Sequence, residues 1–197
     1  MFEILTVCTG NICRSPLAEL LLRARLADLS PQVASAGTRG LASAPMTPEA
    51  AHIAVALGVL EQDAAAHRSR FLTEKHLTSP DLILTMTREH RRAVAELAPS
   101  RLRSTFTIRE FGRIAASVPE GELRAAAEEA GADASARLRA VASVVTSYRG
   151  LVAPVSDPND DDVVDPYRQP WETYLLSASQ LEPAVSAVVA TVRAVAV

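Results

Sequence analysis

Residues 2–29 constrain this chain more than any other stretch. The apolar, β-forming run Phe2–Val7 leads into Cys8-Thr9-Gly10-Asn11-Ile12-Cys13-Arg14-Ser15-Pro16, after which Leu17, Leu20, Leu21 and Ala24 repeat at helical spacing in a run to Leu29. The order reads as buried strand, tight loop, helix. Ser15 is the expected cap of that helix, and Pro16 stands where a first-turn proline is tolerated. A loop wrapped around a point turns several backbone N–H groups inward, and the positive end of the following helix adds to their field, so phosphate is its natural occupant. Cys8 at its start and Arg14 at its end supply a nucleophile and a planar, two-pronged anion clamp.

The rest of the chain repeats the alternation. Strands are expected at Gln32–Ala36, Asp81–Met86 and Arg103–Ile108, and helices at Pro48–Leu57, Glu74–Leu77 and from the Thr87 cap to Leu97. Thr38–Thr47 and Glu61–Arg70, which contains His67, read as loops. Residues 109–149 are helical in character, broken near Pro119–Gly121 and at Gly131. Leu151–Pro170 is a long loop rich in proline and aspartate, and a last helix runs from Trp171 or Glu172 to about Val195, with a bend at Pro183. Strands separated by helices imply an α/β fold with parallel pairing and right-handed crossovers. An open parallel sheet keeps its site at the carboxyl ends of its strands, where Cys8 falls.

Several function classes are excluded on these grounds. A net charge of −3, with Lys and Arg scattered, argues against nucleic acid. We expect no membrane span and no signal peptide, hence a cytoplasmic protein. The two cysteines are too few for a secreted disulfide framework and lack partners for zinc. Asp160, Asp161 and Asp162 lack the glycine and later glutamate of a calcium loop and read as a solvated run. A single domain spanning 1–197 suffices for this length.

The whole string Cys8–Pro16 resembles the phosphate loop of the low-molecular-weight protein tyrosine phosphatase family. Ser35-Ala36-Gly37-Thr38, Ala66-His67-Arg68-Ser69-Arg70, Asp81-Leu82-Ile83-Leu84-Thr85-Met86 and Asp165-Pro166-Tyr167 are similar to family landmarks, in the family's order. The resemblance implies a three-layer, phosphatase I-like fold with a four-stranded parallel sheet flanked by helices. The excess length, about 118–155, would be a helical insertion before the Asp-Pro loop, read as a structural cover.

It further implies hydrolysis of phosphotyrosine through a phosphocysteine on Cys8, without metal or organic cofactor. Thr9, Gly10, Asn11, Ile12, Cys13, Arg14 and Ser15 would bind phosphate, with Gly10 supplying a positive φ or a close backbone approach and Asn11 next in tolerance. Asp165 would act as general acid and then base. Asp157-Pro158 is a second Asp-Pro pair but lacks the aromatic that follows Asp165-Pro166. Asn11, Ser15 and His67 would support the loop, and Ile12 and Tyr167 would wall the substrate ring. The facing loop has no aromatic, so Leu41, Arg39 or Met46 would have to complete the wall. Cys13 would pair with an oxidised Cys8 as a protective disulfide, or simply fill space. The implied partners are a phosphotyrosine protein and, optionally, a tyrosine kinase, with inorganic phosphate as product.

Members resembling this family also include phosphoarginine phosphatases, which carry threonine where this chain has Ile12, and thiol-dependent arsenate reductases. The thioredoxin-coupled reductases need two later cysteines that this chain lacks, whereas a small-thiol-coupled reductase stays open. A phosphate-sensing module without catalysis is the reading from a different class.

Overall fold

β1 (Glu3–Cys8) sends Ile4 and Cys8 into one apolar cluster and Leu5 and Val7 into another, so both of its faces are covered. It therefore lies inside the sheet. In the computed structural model, which describes residues 1–39 and 42–195, the order is β2-β1-β3-β4. β2 (Gln32–Gly37), β3 (Leu82–Thr85) and β4 (Thr105–Thr107) all run parallel to β1, with Cys8 opposite Gly37 and Val7 opposite Thr85. The strand ends thus gather Cys8, Gly37, Thr85 and Thr107 along one rim.

The larger cluster packs α1 (Arg14–Arg25), α2 (Pro48–Ala56), α5 (Ile108–Ala115) and α8 (Trp171–Val195) on one face of the sheet. The smaller joins Leu5, Val7 and Ile83 to Leu72, Leu77 and to Val94 of α4 (Arg88–Leu97). α6 (Glu120–Glu129) and α7 (Ala134–Ser147) fall in the expected insertion and bury Leu123, Ala127, Leu138, Val141 and Val145 in the larger cluster. α7 is anchored on buried Asp81, at the end of the sheet away from Cys8. Its carboxylate takes the Glu3 N–H at 2.9 Å, the Ser135 hydroxyl at 2.6 Å and Arg139 at 2.7 Å.

Four expectations change. Residues 61–66 are a short helix rather than loop, with His67 as its C-cap. β4 shrinks because Pro99–Ser104 form a 3-10 turn and Ile108 already opens α5, whose capping box ties Thr107 to Glu110. α1 starts at Arg14, not Leu17, and ends at Arg25 before a separate 3-10 turn at Ala27–Leu29. Finally, α8, 25 residues running through Pro183, is long and apolar enough by length and composition to cross a membrane, contrary to the expectation that no such stretch exists. Here it spends its apolar face in the core, burying Tyr174, Leu181, Val185, Val188 and Val192.

Candidate active site

Between the end of β1 and the start of α1 the chain reverses within residues 9–13, and one residue must take a left-handed conformation. That residue is Asn11, at φ 55°, not Gly10, which is absent from the positive-φ glycines among the described residues. Glycine matters more at position 37, where a Cβ would lie 2.6 Å from the Thr9 carbonyl. β2 can pass this close only without a side chain there.

The cost of the Asn11 conformation is offset by a full set of partners. Its Nδ2 donates to Ser15 Oγ at 3.0 Å and Ser35 Oγ at 2.7 Å, its Oδ1 accepts from the Arg70 N–H at 2.9 Å, and its carbonyl accepts from His67 Nε2 at 2.8 Å. Ser35 in turn donates to the buried Glu19 at 2.5 Å. Burial holds the His67 pKa below its ordinary value, and because a carbonyl only accepts, Nε2 carries the hydrogen it gives to Asn11.

Ser15 Oγ accepts from Asn11, so its own hydrogen is free for Cys8 Sγ, 2.9 Å away. The Asn11 N–H reaches the same sulfur at 3.3 Å. Ser15 is thus a partner of the Cys8 sulfur and not a helix cap. α1 has no side-chain cap at all, which leaves its first-turn N–H groups for an anion.

Arg14 is 4% exposed, and its guanidinium is fixed from two sides. Nη1 donates to the Val163 carbonyl at 3.0 Å and Nη2 to Thr9 Oγ1 at 3.3 Å. Nη2 also meets Asp165 Oδ2 at 2.5 Å, while the buried Nε has no hydrogen-bond partner among the described residues. A buried donor left unpaired is costly, and here it belongs to the fork that would grip a phosphate.

Cys8, Arg14 and Asp165 line one cavity of about 280 Å³, together with Thr9, Gly10, Ile12, Cys13, Tyr167 and Arg168. Ile12 and Tyr167, the two expected wall residues, both line it. Leu41 lies outside the described residues. Met46 is buried in the core, and Arg39 pairs with Glu89 at 3.6 Å, so neither lines the cavity.

The two Asp-Pro pairs separate cleanly. Asp157 caps a 3-10 turn by accepting the Asn159 N–H at 2.8 Å, whereas Asp165 faces Arg14 and accepts the Tyr167 N–H at 3.1 Å. The acidic run between them is not simply solvated. Asp161 is buried in a two-pronged pair with Arg113, at 3.1 and 2.7 Å, and Asp162 accepts the Arg88 N–H at 2.8 Å. They pin the loop to α5 and α4. Among the described residues no group of three or more His, Cys, Asp or Glu side chains could hold a metal.

Cys13 is a free, buried thiol, 3.5 Å from Thr47 Oγ1 and 4.0 Å from Tyr174 Oη. Burial pushes its pKa up to about 11.

The family model of the low molecular weight phosphotyrosine protein phosphatases matches residues 3–121. This chain belongs to that family. Among curated relatives it is 46% identical over 97 residues to the Escherichia coli K12 low molecular weight protein-tyrosine-phosphatase Etp, covering 49% of this chain and 62% of the relative's length. It is 36% identical over 112 residues to a protein-arginine-phosphatase of Bacillus subtilis, covering 55% and 71%. Among solved structures, Vibrio vulnificus Wzb with benzylphosphonate superposes at a TM-score of 0.64 and 25% identity, over 96% of this chain and 97% of the other. The arginine phosphatase YwlE of Geobacillus stearothermophilus gives 0.67 at 24% identity, over 98% and 94%, and speaks for the fold.

The family match ends before the Asp-Pro loop, so Asp165 joins the site through the fold. Sequence reading missed Glu19, the bond from Asn11 to the landmark residue Ser35, the Thr9 contact with His90, and Arg168. The first three carry no local pattern, because each meets the loop from a separate element. Arg168 sits at φ 61° with its guanidinium 5.1 Å from the Tyr167 ring centroid, and its only signal was its place beside Asp165-Pro166-Tyr167.

Proposed function

We propose that this protein is a phosphatase that hydrolyses phosphotyrosine in proteins through a phosphocysteine on Cys8. The observation that carries the reading is the convergence of Cys8, the Arg14 fork and Asp165 on one cavity, with Asp165 2.5 Å from Arg14. Family membership supports the same chemistry.

In the first half-reaction the Cys8 sulfur attacks phosphorus as the P–O bond to the phenol breaks. The Asp165 carboxyl, carrying the proton given up by the Cys8 thiol, hands it to the departing oxygen. In the second, the Asp165 carboxylate takes a proton from water, whose oxygen attacks phosphorus. The P–S bond breaks, inorganic phosphate leaves, and the Cys8 thiolate re-forms. Arg14 offers Nε, and the Nη2 hydrogen now on Asp165, to the equatorial oxygens where charge spreads in the transition state. The same oxygens displace Asp165 from Arg14, freeing it for the leaving group. Asn11, Ser15 and His67 hold the loop in shape for this.

The apolar Ile12 suits a phenyl ring better than a guanidinium, whereas the Tyr167 face, which already carries the Arg168 guanidinium, accepts either. The Cys8–Cys13 pair is read as a slow protective disulfide, because a thiol raised to about 11 is seldom a thiolate near neutrality. Such chemistry belongs in a reducing, cytoplasmic setting. Residues 1–197 are read as one working domain whose insertion is a cover, which the burial of α6 and α7 in the main cluster supports.

The test is a turnover panel of phosphotyrosine, phosphoarginine, phosphoserine and arsenate with small thiols. Phosphotyrosine should lead, and Cys8→Ser should lose at least about 10⁴-fold in kcat. Phosphoarginine in the lead would move the protein to that substrate, and arsenite production above phosphatase activity would move it to the reductases. Parental turnover in Cys8→Ser, or phosphopeptide binding without turnover, would reject the mechanism.

A further inference from the structure

A buried histidine outside the reacting groups leads by hydrogen bonds to Arg14. His90, in the first turn of α4, is 4% exposed. Its Nε2 lies 2.9 Å from Thr9 Oγ1 and its Nδ1 2.8 Å from Thr87 Oγ1. Thr9 Oγ1 is also the atom that meets Arg14 Nη2 at 3.3 Å. The directions follow from the chemistry of the groups. A guanidinium only donates, so the Thr9 oxygen accepts there and its own hydrogen goes to His90. Nε2 is then the bare nitrogen, and Nδ1 carries the hydrogen donated to Thr87. Burial, with the charges of Arg14 and Arg39 behind it, pushes His90 down to about 3, so the neutral ring persists near neutrality.

Building on the phosphatase reading, we propose that His90 is a positioning residue for Arg14, acting through Thr9. By holding the Thr9 hydrogen, it aims a lone pair of that hydroxyl at Nη2. With the Val163 carbonyl on Nη1, this fixes the plane of the guanidinium and points Nε and the remaining Nη2 hydrogen at the phosphoryl group. A fork free to turn still attracts a dianion but follows the equatorial oxygens poorly, so the loss falls on kcat more than on KM.

His90→Phe keeps a ring of similar size and removes both nitrogens, while His90→Gln restores an acceptor near the place of Nε2. With an aryl phosphate, His90→Phe should lower kcat about 10- to 100-fold and change KM by less than about threefold. It should weaken inhibition by vanadate, which mimics the transition state, more than inhibition by inorganic phosphate. His90→Gln should recover most of kcat. In an Arg14→Lys background His90→Phe should add little, because an ammonium has no plane to orient. If His90→Phe fails to fold, His90→Asn, which is too short to reach Thr9, replaces it with the same expected loss.

Parental kcat in His90→Phe, no recovery with glutamine, or an equal loss on top of Arg14→Lys would each overturn the assignment. Cys8→Ser separates the two readings. Its parental turnover would reject the phosphatase mechanism itself, whereas an inactive Cys8→Ser beside a fully active His90→Phe would reject only the role of His90.

Discussion

The two loops that build the site are held in opposite ways. Residues 8–16 are buried except for half-buried Thr9 and Gly10, and Asn11 and Ser15 spend their polar atoms on named partners: Ser35, Arg70, His67 and Cys8. Residues 151–170 are held at 161–164, by Asp161 on Arg113, Asp162 on the Arg88 N–H, Val163 between Met86 and Arg14, and the Val164 N–H on Gln180, while beyond them the Asp165 side chain is 47% exposed and Tyr167 is 40% exposed. The contrast matches two chemical tasks. A phosphate cradle works best when its dipoles are already aimed and need no rearrangement. On the proposed mechanism the acid would exchange Arg14 for the leaving oxygen, so it would not be locked as Asn11 is.

The largest expected effect asks whether the looser loop supplies that acid. Asp165→Asn should lower kcat by about 10²- to 10⁴-fold for substrates with poor leaving groups, and much less for those with good ones. Asp157→Asn should leave kcat within about twofold, since Asp157 only caps a turn. Steady-state kinetics over a series of aryl phosphates separates them. Equal losses would erase the distinction between the two Asp-Pro pairs.

The next effect tests the rigid side. Asn11→Ala puts a residue less tolerant of the left-handed region at φ 55° and strands the three partners of its side-chain amide, Ser15, Ser35 and the Arg70 N–H. About 3 kcal/mol of stability should go, read by chemical denaturation, along with a kcat loss that added phosphate does not restore. A variant as stable as the parent would mean that β1 and α1 hold the loop without the network.

The two sides also differ in how far they could be read from the chain. β1, the loop and the helix after it follow from a local pattern, because an apolar run, a tight turn and a helical period are properties of neighbouring residues. Cys8, Arg14 and the Asp165 pair were singled out for that reason and through the resemblance, and they line one cavity. The Asn11–Ser35–Glu19 chain was not, since those residues meet only when β2 packs beside β1 and α1 crosses both. His90 looked like any helix residue until β3 delivered it beneath Thr9. Asp161 was misread because an acidic run says nothing of the arginine, 48 positions earlier, that buries it. The Ser15 cap failed for a related reason: its hydroxyl has a better use at the Cys8 sulfur.

Acid should expose the rigid side through His90. Its folded pKa, about 3, is depressed below the ordinary 6.5, so the unfolded chain takes up a proton first. The associated stability is present above 6.5 and is lost as pH falls toward 3. Between pH 7 and pH 5 the loss should be about 2 kcal/mol. Carboxylates titrate in the same range, so the quantity to read is the parent's loss minus that of His90→Gln. A difference near zero would mean that water reaches His90, and that this side of the cradle is no more closed than the Asp-Pro loop.

The smallest effect concerns the hinge between the two behaviours. Arg113 grips both oxygens of Asp161 and touches the Ala153 carbonyl at 3.2 Å, so it ties the loop's base at two points. Arg113→Lys keeps the charge and loses the fork, and with the Arg113 side chain 30% exposed the cost in stability should be about 1 kcal/mol. The catalytic consequence is sharper than the thermodynamic one. If the base only needs to be near α5, kcat should fall a few-fold for poor leaving groups and stay level for good ones, a weak copy of Asp165→Asn. If kcat falls as far as in Asp165→Asn, then Asp165 depends on its base as strictly as Cys8 depends on Asn11, and the tip of the second loop is held as tightly as the first.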